Sequence, residues 1–422
     1  MARLAKIVRA IFTWAEFHWA GLYRRDPRLW VFGARHAFAG NSHYLFLWVA
    51  HQEPDIEAVW IATDRSTADR IRRAGLRAEV KGTRSALRVI RRAGVFFYND
   101  RVSEIGAAAS NGAVLVNLWH GSGLKNIASL HKKSVLYDLG KGRLSGLRVK
   151  YERIEHPARA IFVSTSPAIA ARFSEAFDVP LSDCPIIGTP RLDPAVDKQM
   201  RAWSKEFGSY AEFESARKHN REIYIYMPTY RPGHREFLGA ALPDPERLSE
   251  ILRARSAVMF VKLHPQDQSR HSLPDNASAG PDPRILSWAP DMLFYNVIDQ
   301  IDCLITDYSS VMFDFIAVKS AGLLLYPFDI DRYLDERGFY FPYEENVAGH
   351  RADTFSDLCD AISTGRAVAE IELSKLDRVR KRVWEGSKLP ASRGVTDEIR
   401  QRAGLPGRSE GRAIAHATGL VA

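Results

Sequence analysis

Short, continuously apolar runs alternate along the chain with longer stretches in which apolar residues recur at helical spacing. Continuous apolar strands separated by helices are typical of parallel sheets that are covered on both faces. The alternation breaks at 190–220, where two prolines precede a polar, highly charged stretch, and then resumes. The pattern therefore predicts an α/β fold of two domains with a hinge near 190–220. The predicted strands are 59–62, 95–98, 114–119, 160–163, 223–227, 257–261, 303–305 and 323–326, and the clearest helices are 66–74 and 85–92.

The length supports this division, because 422 residues exceed the roughly 150 residues that are usual for one domain. A hydrophobic fraction of 46% and a charged fraction of 26% exclude a disordered or collagen-like chain. We expect two Rossmann-like domains, at 31–200 and 221–400. A basic aromatic segment at 1–30 precedes them, and a loosely ordered tail at 404–422 follows.

The segment 1–30 combines basic and aromatic side chains, which favours a position at a membrane interface. Its predicted anchors are Trp14, Trp19, Tyr23 and Trp30, and an ordinary helix packed on the first domain is the alternative. Glu16 interrupts the apolar run that a signal peptide needs, and no stretch is continuously apolar for the ~20 residues of a membrane span. The three cysteines have no paired spacing and suit a reducing compartment. We therefore expect a cytoplasmic protein that is peripheral on the inner face of the cell membrane.

The positive charge of the chain is concentrated in two stretches. With 59 basic and 50 acidic residues the net charge is +9. Residues 70–92 hold nine basic residues and one acidic residue, and residues 125–159 hold nine and three, so these stretches carry +8 and +6. They indicate an anionic partner, which could be nucleic acid, anionic lipid headgroups or a phosphate-rich polymer. A solvated helix face is the alternative for each stretch.

Polar side chains follow five of the predicted strands, and ligands of parallel α/β sheets bind at the carboxyl ends of the strands. Ser309 and Ser310 stand at the start of an apolar helix, where hydroxyls and free N–H groups suit a diphosphate. Plain N-capping by Ser310 is the alternative. The polar residues after the strands include His120 to Lys125, Thr229 with Arg231, His264, Asp307 to Ser310, and Asp329.

Two of these residues are histidines, one from each half of the chain. His120 precedes a Gly-Ser-Gly turn and is the natural group to take a proton from an attacking hydroxyl near neutral pH. His264 comes from the other half, so the pair fits a reaction in an interdomain cleft. Arg231 and Lys125 could neutralise phosphate charge. Structural histidines and surface ion pairs are the alternatives.

The sequence lacks the motifs of several common nucleotide-binding and metal-binding sites. There is no Walker-type loop, no GxGxxG after a strand, no HExxH and no Cys/His metal cluster. Asp329-Ile330-Asp331 matches the DxD of metal-dependent sugar transferases, but the pattern is too common to assign. We therefore predict no metal site or certain cofactor, and a requirement for Mg²⁺ stays open.

Six motifs occur in order between Asn41 and about Gly349. They are Asn41-Ser42-His43-Tyr44-Leu45-Phe46, Trp119-His120-Gly121-Ser122-Gly123-Leu124-Lys125, Gly188-Thr189-Pro190-Arg191-Leu192-Asp193, Pro228-Thr229-Tyr230-Arg231, Lys262-Leu263-His264-Pro265, and Leu304-Ile305-Thr306-Asp307-Tyr308-Ser309-Ser310-Val311 with Asp314, the last followed by Tyr326, Asp329, Tyr333 and Arg337-Gly338. Together they resemble those of the CDP-glycerol:poly(glycerophosphate) glycerophosphotransferases of teichoic-acid and capsule synthesis. Ser122 and Gly123 replace a Thr and a Pro of that family's pattern.

The resemblance implies a GT-B-like fold, in which two Rossmann-like domains face each other across a cleft. The C-terminal domain would hold CDP-glycerol or another CDP-polyol. His120 and His264 would be the catalytic residues. The implied donor-binding residues are Thr229, Arg231, Asp307, Ser309, Ser310 and Asp314, and the implied acceptor or loop residues are Asn41, Gly121, Ser122 and Lys125.

The implied reaction is of EC 2.7.8 type. A polyol phosphate would pass to a hydroxyl of a prenyl-diphosphate-linked or polyphosphate acceptor at an anionic membrane surface, and CMP would leave. No nucleic-acid partner is expected. A GT-B nucleotide-sugar glycosyltransferase or epimerase is the alternative, and a non-enzymatic membrane-attached module is the third interpretation. Glycerol or ribitol, primase or polymerase, the acceptor and the oligomeric state all stay open.

Overall fold

The computed structural model describes two compact units that interleave along the chain. The first unit takes the chain up to His120, then Ile127–Glu206, and then the described residues from Trp384 onward. The second unit takes Gly121 and Phe207–Val383. The change of unit after Glu206 falls within the range expected for the hinge. The described residues are 2–35, 38–121, 127–130, 136, 138, 146–231, 237–264, 282–336, 339 and 341–407.

The first unit is built on a parallel sheet of six strands in the order β3-β2-β1-β4-β5-β6. Val31 of the central strand pairs with Val59 on one side and with Phe96 on the other. The strand order reverses between β1 and β4, and such a switch point is where open α/β sheets bind ligands. The strands are β1 Asp26–Phe32, β2 Glu57–Ala62, β3 Ala78–Val80, β4 Ala93–Tyr98, β5 Val114–Asn117 and β6 Ile161–Phe162.

Helices cover this sheet, and their starts follow from local capping. Asp64 accepts a hydrogen bond from Thr67 N–H, and Ser166 accepts one from Ile169 N–H, each at the first turn of a helix. No helix in the described part of the chain is long and apolar enough to cross a membrane. The helices are α1 Ala2–Ala20, α2 Asn41–Gln52, α3 Arg65–Arg73, α4 Arg84–Arg92, α5 Gly146–Glu155, α6 Pro167–Phe177, α7 Asp193–Val196 and α8 Lys198–Lys205.

The expectation that Trp30 is an interfacial anchor is wrong. Trp30 lies in β1, is 0% exposed, and packs against Phe97 with ring centroids 5.3 Å apart. Its indole N–H donates to Pro27 O at 2.8 Å, which satisfies the polar edge of the ring. The strand was missed because Asp26, Pro27 and Arg28 at its start hide the apolar run that follows. Trp19, in contrast, is 66% exposed on α1.

The second unit repeats the architecture with a parallel sheet in the order β12-β11-β10-β7-β8-β9. The buried Tyr224 of β7 pairs with Cys303 and Met259 of the two neighbouring strands. The predicted α/β class with two Rossmann-like sheets is therefore confirmed. The strands are β7 Glu222–Met227, β8 Ala257–Val261, β9 Ile285–Ser287, β10 Cys303–Thr306, β11 Leu323–Leu325 and β12 His350–Arg351.

The helices of the second unit lie between and after these strands. Thr354 and Asp357 form a reciprocal capping box at the start of the helix that follows β12. The helices are α9 Ala211–Lys218, α10 Phe237–Ala241, α11 Pro245–Ala254, α12 Val311–Val318, α13 Ile330–Glu336, α14 Tyr343–Asn346, α15 Phe355–Ser363 and α16 Leu373–Trp384.

The chain returns to the first unit with α17, Ala391–Arg402. The buried Asp193 carboxylate accepts hydrogen bonds from the N–H groups of Ala391 and Ser392, at 2.6 and 2.9 Å. The buried Arg400 pairs with the carboxylate of Asp55 at 2.8 Å. These contacts differ from the expectation that 221–400 is one domain, because α17 bonds to Asp193 and Asp55 of the first unit. Residues 408–422 of the expected tail lie outside the described residues.

Candidate active site

A buried carboxylate joins the ends of two neighbouring strands of the second unit. Asp307 directly follows β10 and is 0% exposed. It accepts hydrogen bonds from the backbone N–H and the hydroxyl of Thr229, at 2.9 and 2.6 Å. Thr229 follows β7, which pairs with β10. Two of the predicted donor-binding residues therefore meet at the carboxyl edge of this sheet.

Arg231 completes this cluster and is only 5% exposed. Its Nη2 lies 2.7 Å from the Asp307 carboxylate, its Nη1 donates to Thr229 O, and its Nε and Nη2 donate to Asp329 at 2.7 Å. Burial acts to lower the pKa of Arg231, but the Asp307 and Asp329 carboxylates outweigh it and raise the pKa above its ordinary value. All three guanidinium nitrogens have protein partners. The geometry thus suits Arg231 to holding the strand ends in place, and its contact with a phosphate stays a prediction.

Asp329 is the member of the cluster whose role the sequence interpretation missed. It follows β11, and it receives the Arg231 side chain and the Tyr308 hydroxyl, the latter at 3.1 Å. Burial acts to raise the pKa of Asp329, and the hydrogen bond and charge of Arg231 lower it further than burial raises it. Its position after a buried strand was the available signal, because it shares the edge of the sheet with Thr229 and Asp307.

Ser309 and Ser310 lie at the start of α12 and are both half-buried. Ser310 is the N-cap residue, but its side chain makes no capping hydrogen bond, so the plain-capping alternative is not observed. The first N–H groups of α12 do have protein acceptors, because Val311 N–H lies 3.5 Å from Ser309 Oγ, and Met312 and Phe313 N–H donate to Ser309 O and Ser310 O at 3.3 and 3.1 Å. The two serine hydroxyls at the positive end of the helix dipole are the groups that suit an anion here. Asp314 lies in the same helix but is buried, and it accepts the Tyr295 hydroxyl at 2.8 Å. That contact favours a structural role for Asp314.

His264 lies beyond the carboxyl end of β8 and is exposed. Its ring lies 4.9 Å from the Tyr230 ring, measured between centroids. Lys262, which sequence reasoning did not assign to the site, precedes it and lies 5.8 Å from the centre of the Trp288 ring. Burial lowers the pKa of Lys262 to about 8. The half-buried ammonium adds a positive charge at this edge of the sheet, and the signal for it was the same strand-end position.

His120 follows a strained residue of the first unit. Trp119 has a positive φ of 51°, a conformation that costs a non-glycine residue about 1–3 kcal/mol. Two hydrogen bonds hold Trp119 in place, one from its N–H to Asn117 Oδ1 at 2.8 Å and one from Asn41 Nδ2 to Trp119 O at 2.9 Å. These hydrogen bonds thus fix the backbone conformation of Trp119, which sets the direction of the His120 side chain.

One hydrogen bond determines the tautomer of His120. Its Nδ1 lies 3.2 Å from the carbonyl oxygen of Asn99, which can only accept, so Nδ1 carries the proton in the neutral ring. Nε2 then holds the free lone pair of a base. The ring keeps an exposed surface. The dense protein around the rest of the ring lowers the pKa of His120 below its ordinary 6.5, against the opposing effect of the Asp100 carboxylate.

Asn41 is buried at the start of α2, and its side-chain amide joins two loops. Its Nδ2 donates to Leu118 O and Trp119 O, each at 2.9 Å. Its Oδ1 accepts from Thr189 Oγ1 at 2.7 Å and from Arg191 N–H at 3.0 Å. The amide is fully used, so the arrangement supports a positioning role for Asn41 in the loop before His120.

Gly121 belongs to the second unit and lies close to Ser310. A Cβ at position 121 would lie 2.6 Å from Ser310 Oγ, so only glycine fits there without displacing that hydroxyl. Ser122 and Lys125 of the same predicted loop lie outside the described residues. Within the described ranges, no three His, Cys, Asp or Glu side chains come together in a way that could hold a metal ion.

Comparison with known sequences gives a family match over most of the chain. The family described as CDP-Glycerol:Poly(glycerophosphate) glycerophosphotransferase matches residues 15–401. The chain is 31% identical over 190 residues to a teichoic acid ribitol-phosphate primase of Bacillus spizizenii, covering 44% of this chain and 46% of the relative. It is 27% identical over 215 residues to the teichoic acid ribitol-phosphate polymerase TarL of Staphylococcus aureus, covering 49% and 36%. The chain thus spans less than half the length of these two curated relatives.

Solved structures share the fold at lower sequence identity. The wall teichoic acid polymerase TagF matches with a TM-score of 0.71 and 19% identity, over 96% of this chain and 97% of the TagF chain. A UDP-GlcNAc 2-epimerase from Methanocaldococcus jannaschii matches with a TM-score of 0.51 and 10% identity, over 88% and 99%. At these identities the structures establish the GT-B-like fold alone. Because the family match covers residues 15–401, the chain belongs to the CDP-glycerol:poly(glycerophosphate) glycerophosphotransferase family.

Proposed function

We propose that this protein transfers a polyol phosphate from CDP-glycerol or a related CDP-polyol to a hydroxyl of a cell-envelope acceptor, with release of CMP. Family membership supports the reaction class, and relatives include teichoic acid glycerol-phosphate and ribitol-phosphate primases. TagF has been solved after a soak with CDPG. The observation that carries the proposal is the start of α12, where the half-buried Ser309 and Ser310 directly follow the buried Asp307 cluster.

The donor diphosphate would bind at this helix start. The two serine hydroxyls and the positive end of the helix dipole both favour negative charge. The buried cluster of Thr229, Asp307 and Arg231 makes the loop before α12 rigid. A rigid arrangement of donors stabilises the charge that develops on the phosphoryl oxygens without reorganisation during the reaction. His264 and the Lys262 ammonium would add to this stabilisation.

The acceptor hydroxyl would attack the phosphorus that bears the polyol. A new P–O bond forms to the acceptor oxygen, the P–O bond to CMP breaks, and the hydroxyl proton passes to Nε2 of His120. The Asn99 carbonyl holds the opposite ring nitrogen and stabilises the imidazolium that results. Both candidate acceptors, a prenyl-diphosphate-linked glycan and a polyol-phosphate polymer, end in such hydroxyls.

The same proposal includes attachment to an anionic membrane surface through α1. Phe12 and Trp19 are 71% and 66% exposed and stand on one side of this helix, seven residues apart. Exposed aromatic residues on an interfacial helix insert at the headgroup boundary, and the basic residues of α3 and α4 would add attraction to anionic lipids.

The test is release of CMP from CDP-glycerol and CDP-ribitol, with UDP-N-acetylglucosamine as the comparison donor, each with and without a prenyl-diphosphate-linked acceptor. We expect acceptor-dependent CMP release that His120→Ala removes while CDP-glycerol binding persists. His219→Ala is the matched control, because His219 is exposed after α9 in the second unit. Turnover of the UDP-sugar without turnover of either CDP-polyol would replace the proposed reaction with nucleotide-sugar chemistry.

A further inference from the structure

The buried carboxyl of Glu104 lies close to the proposed base but has no part in the reaction described above. Glu104 is 6% exposed and ends the short 3-10 helix that begins at Val102, after β4. Its Oε2 accepts a hydrogen bond from Asn99 N–H at 2.7 Å. The carbonyl oxygen of the same Asn99 lies 3.2 Å from His120 Nδ1. One residue thus connects Glu104 to the His120 ring, and all three residues belong to the first unit.

The peptide group between Tyr98 and Asn99 is held from both sides. Its N–H donates to Glu104, and its carbonyl oxygen, Tyr98 O, accepts from Leu118 N–H at 2.8 Å. Leu118 lies two residues before His120. Hydrogen bonds on the two sides of one planar peptide group strengthen each other and fix the direction of its plane. Glu104 therefore helps to set the path of the backbone that enters Asn99.

Further hydrogen bonds hold Asn99 itself and the residue after it. Asn99 is 8% exposed, and its Oδ1 accepts from the N–H and the hydroxyl of Ser42, at 3.2 and 3.1 Å. The carbonyl oxygen of Asp100 accepts from Asn117 Nδ2 at 3.1 Å. With bonds before, at and after Asn99, the backbone is kept in the conformation that directs Asn99 O to the His120 ring.

The contact between Glu104 and Asn99 depends on the reach of the side chain more than on its charge. Burial raises the pKa of Glu104 to about 7, and the hydrogen bond from Asn99 N–H acts in the opposite direction. Near neutral pH the protein therefore contains both the charged and the neutral carboxyl. Both forms keep an oxygen that accepts from Asn99 N–H.

The place of the proton on the His120 ring decides whether the ring can act as a base at Nε2. The nitrogen that carries the proton is set by the hydrogen bond that the ring makes. If Asn99 O moved away from Nδ1, the proton could lie on either nitrogen. The form with the proton on Nε2 has no lone pair at the atom that the proposed reaction uses.

We propose that Glu104 is a positioning residue, which holds His120 in the tautomer of a base through the backbone of Asn99. The structural half of this inference rests on contacts within the first unit. Its consequence for turnover rests on the proposed function, in which Nε2 of His120 takes the proton of the acceptor hydroxyl.

Two substitutions separate the reach of the Glu104 side chain from its charge. Glu104→Asp keeps the charge but is one methylene shorter, so its carboxylate should no longer reach Asn99 N–H. Glu104→Gln keeps the length and an acceptor oxygen and removes the charge. Glu385→Asp, at an exposed position after α16, is the matched control.

The first measurement is the nitrogen-15 chemical shifts of the histidine rings in the full chain, with the His120 signals identified by their loss in His120→Ala. At about pH 8 the ring is neutral, because burial lowers the pKa of His120 below 6.5. We expect a protonated Nδ1 in the unmodified protein, in Glu104→Gln and in Glu385→Asp. In Glu104→Asp the Nε2 signal should shift toward its protonated value.

The second measurement is turnover. Glu104→Asp should lower kcat about tenfold or more and leave the Kd for CDP-glycerol unchanged, since small misplacements at a reacting group are costly. Glu104→Gln should keep both constants. Urea denaturation of each variant shows that it is folded. Glu104→Ala is the second route if Glu104→Asp does not fold, and it should shift the Nε2 signal in the same direction because it also removes the acceptor.

An Nδ1-protonated ring in both Glu104→Asp and Glu104→Ala would overturn the inference. A tautomer shift in Glu104→Gln without one in Glu104→Asp would overturn it as well, because the charge and not the contact with Asn99 would then control the ring.

Failure of the proposed function gives a different result. If no CDP-polyol releases CMP but the tautomer shifts in Glu104→Asp, the positioning role stands and the transfer reaction is wrong. If CMP is released and neither the tautomer nor kcat responds to Glu104→Asp, the transfer reaction stands and the positioning role is wrong.

Discussion

Asp307 and Arg231 form a buried ion pair, with the carboxylate 2.7 Å from Nη2, and they belong to the ends of two paired strands. Loss of either side chain removes a buried opposite charge from the other, and the desolvation of a buried charge is costly when it is not compensated. The pair therefore fixes the distance between the loop that carries Thr229 and the loop that leads to Ser309 and Ser310. The position of the start of α12 therefore depends on this ion pair.

Removal of the carboxylate should destabilise the second unit. Asp307→Ala leaves the Arg231 guanidinium with Asp329 as its remaining carboxylate and leaves Thr229 N–H without an acceptor. We expect the free energy of unfolding to fall by about 3–5 kcal/mol, measured by urea denaturation. Asp331→Ala, an exposed carboxylate on α13, should change it by less than about 0.5 kcal/mol. Equal stability of the two variants would contradict this account.

A methyl group at position 121 should disturb the donor site through Ser310. In Gly121→Ala the new Cβ would lie 2.6 Å from Ser310 Oγ, so the hydroxyl must move. We expect a rise in KM for CDP-glycerol and a loss of about tenfold or more in kcat/KM, since small misplacements at a reacting group are costly. Gly239→Ala is the control, because a Cβ there meets no atom within 4 Å.

A double variant tests the cause of that effect. Ser310→Ala removes the clashing oxygen, so Gly121→Ala combined with Ser310→Ala should be no slower than Ser310→Ala alone. Additive losses in kcat/KM would show that Gly121 acts through something other than Ser310.

Loss of the Asn41 amide should slow the chemical step and spare donor binding. Asn41→Ala leaves the buried hydroxyl of Thr189 and the carbonyl of Trp119 without this partner and frees the strained Trp119 backbone to relax. We expect kcat to fall about tenfold, while the Kd for CDP-glycerol stays unchanged. Gln52→Ala, at the exposed far end of the same helix, should leave both constants unchanged. A change in Kd instead of kcat would assign Asn41 to the donor.

The pH dependence of kcat/KM should report the lowered pKa of His120. The general base must be neutral, so the rate falls as the pH falls through the pKa of His120, and the midpoint of this acid limb should lie below pH 6.5. The Asp100 carboxylate stabilises the imidazolium, so Asp100→Asn should move the midpoint to lower pH. A midpoint at or above pH 6.5, or one that Asp100→Asn moves upward, would remove His120 as the base.

Charges placed on α1 should weaken the proposed attachment to membranes. Phe12→Asp combined with Trp19→Asp removes two exposed aromatic side chains, each worth about 1.5–3 kcal/mol when buried. Binding to phosphatidylglycerol-containing vesicles, measured by sedimentation, should weaken at least about tenfold. Leu181→Asp changes another exposed apolar residue of the first unit, 58% exposed, and should leave vesicle binding unchanged. Equal loss in both proteins would point to nonspecific charge effects.

The sequence predicted those strands whose apolar runs are continuous, because a strand that is buried on both faces consists of consecutive apolar residues. It missed β1 because polar residues open it, and β9 because Ile285–Ser287 has only two apolar residues, of which Ile285 alone is buried. Strand-end reasoning found Thr229, Asp307 and His120, because their positions depend on topology alone. It could not find the partners of Arg231, because an ion pair 98 residues apart along the chain depends on strand order.

Burial was the other property that the sequence could not supply. The family resemblance implies that Arg231 binds the donor and that Asn41 is an acceptor or loop residue. In the structure, every guanidinium nitrogen of Arg231 and both polar atoms of the Asn41 amide form hydrogen bonds with other residues of the protein. Both residues thus hold loops in place, and only three-dimensional contacts show this.

The return of α17 to the first unit has a consequence for synthesis of the protein on the ribosome. Asp193 and its hydrogen-bond partner Ala391 are 198 residues apart along the chain. At an elongation rate of about 5–20 residues per second, α17 is made roughly 10–40 s after Asp193. During that interval the first unit lacks its last helix, although most of its chain has already emerged. The second unit ends at Val383, so its whole chain is made before the last helix of the first unit. The order in which the two units mature is therefore the reverse of the order in which their first residues are made.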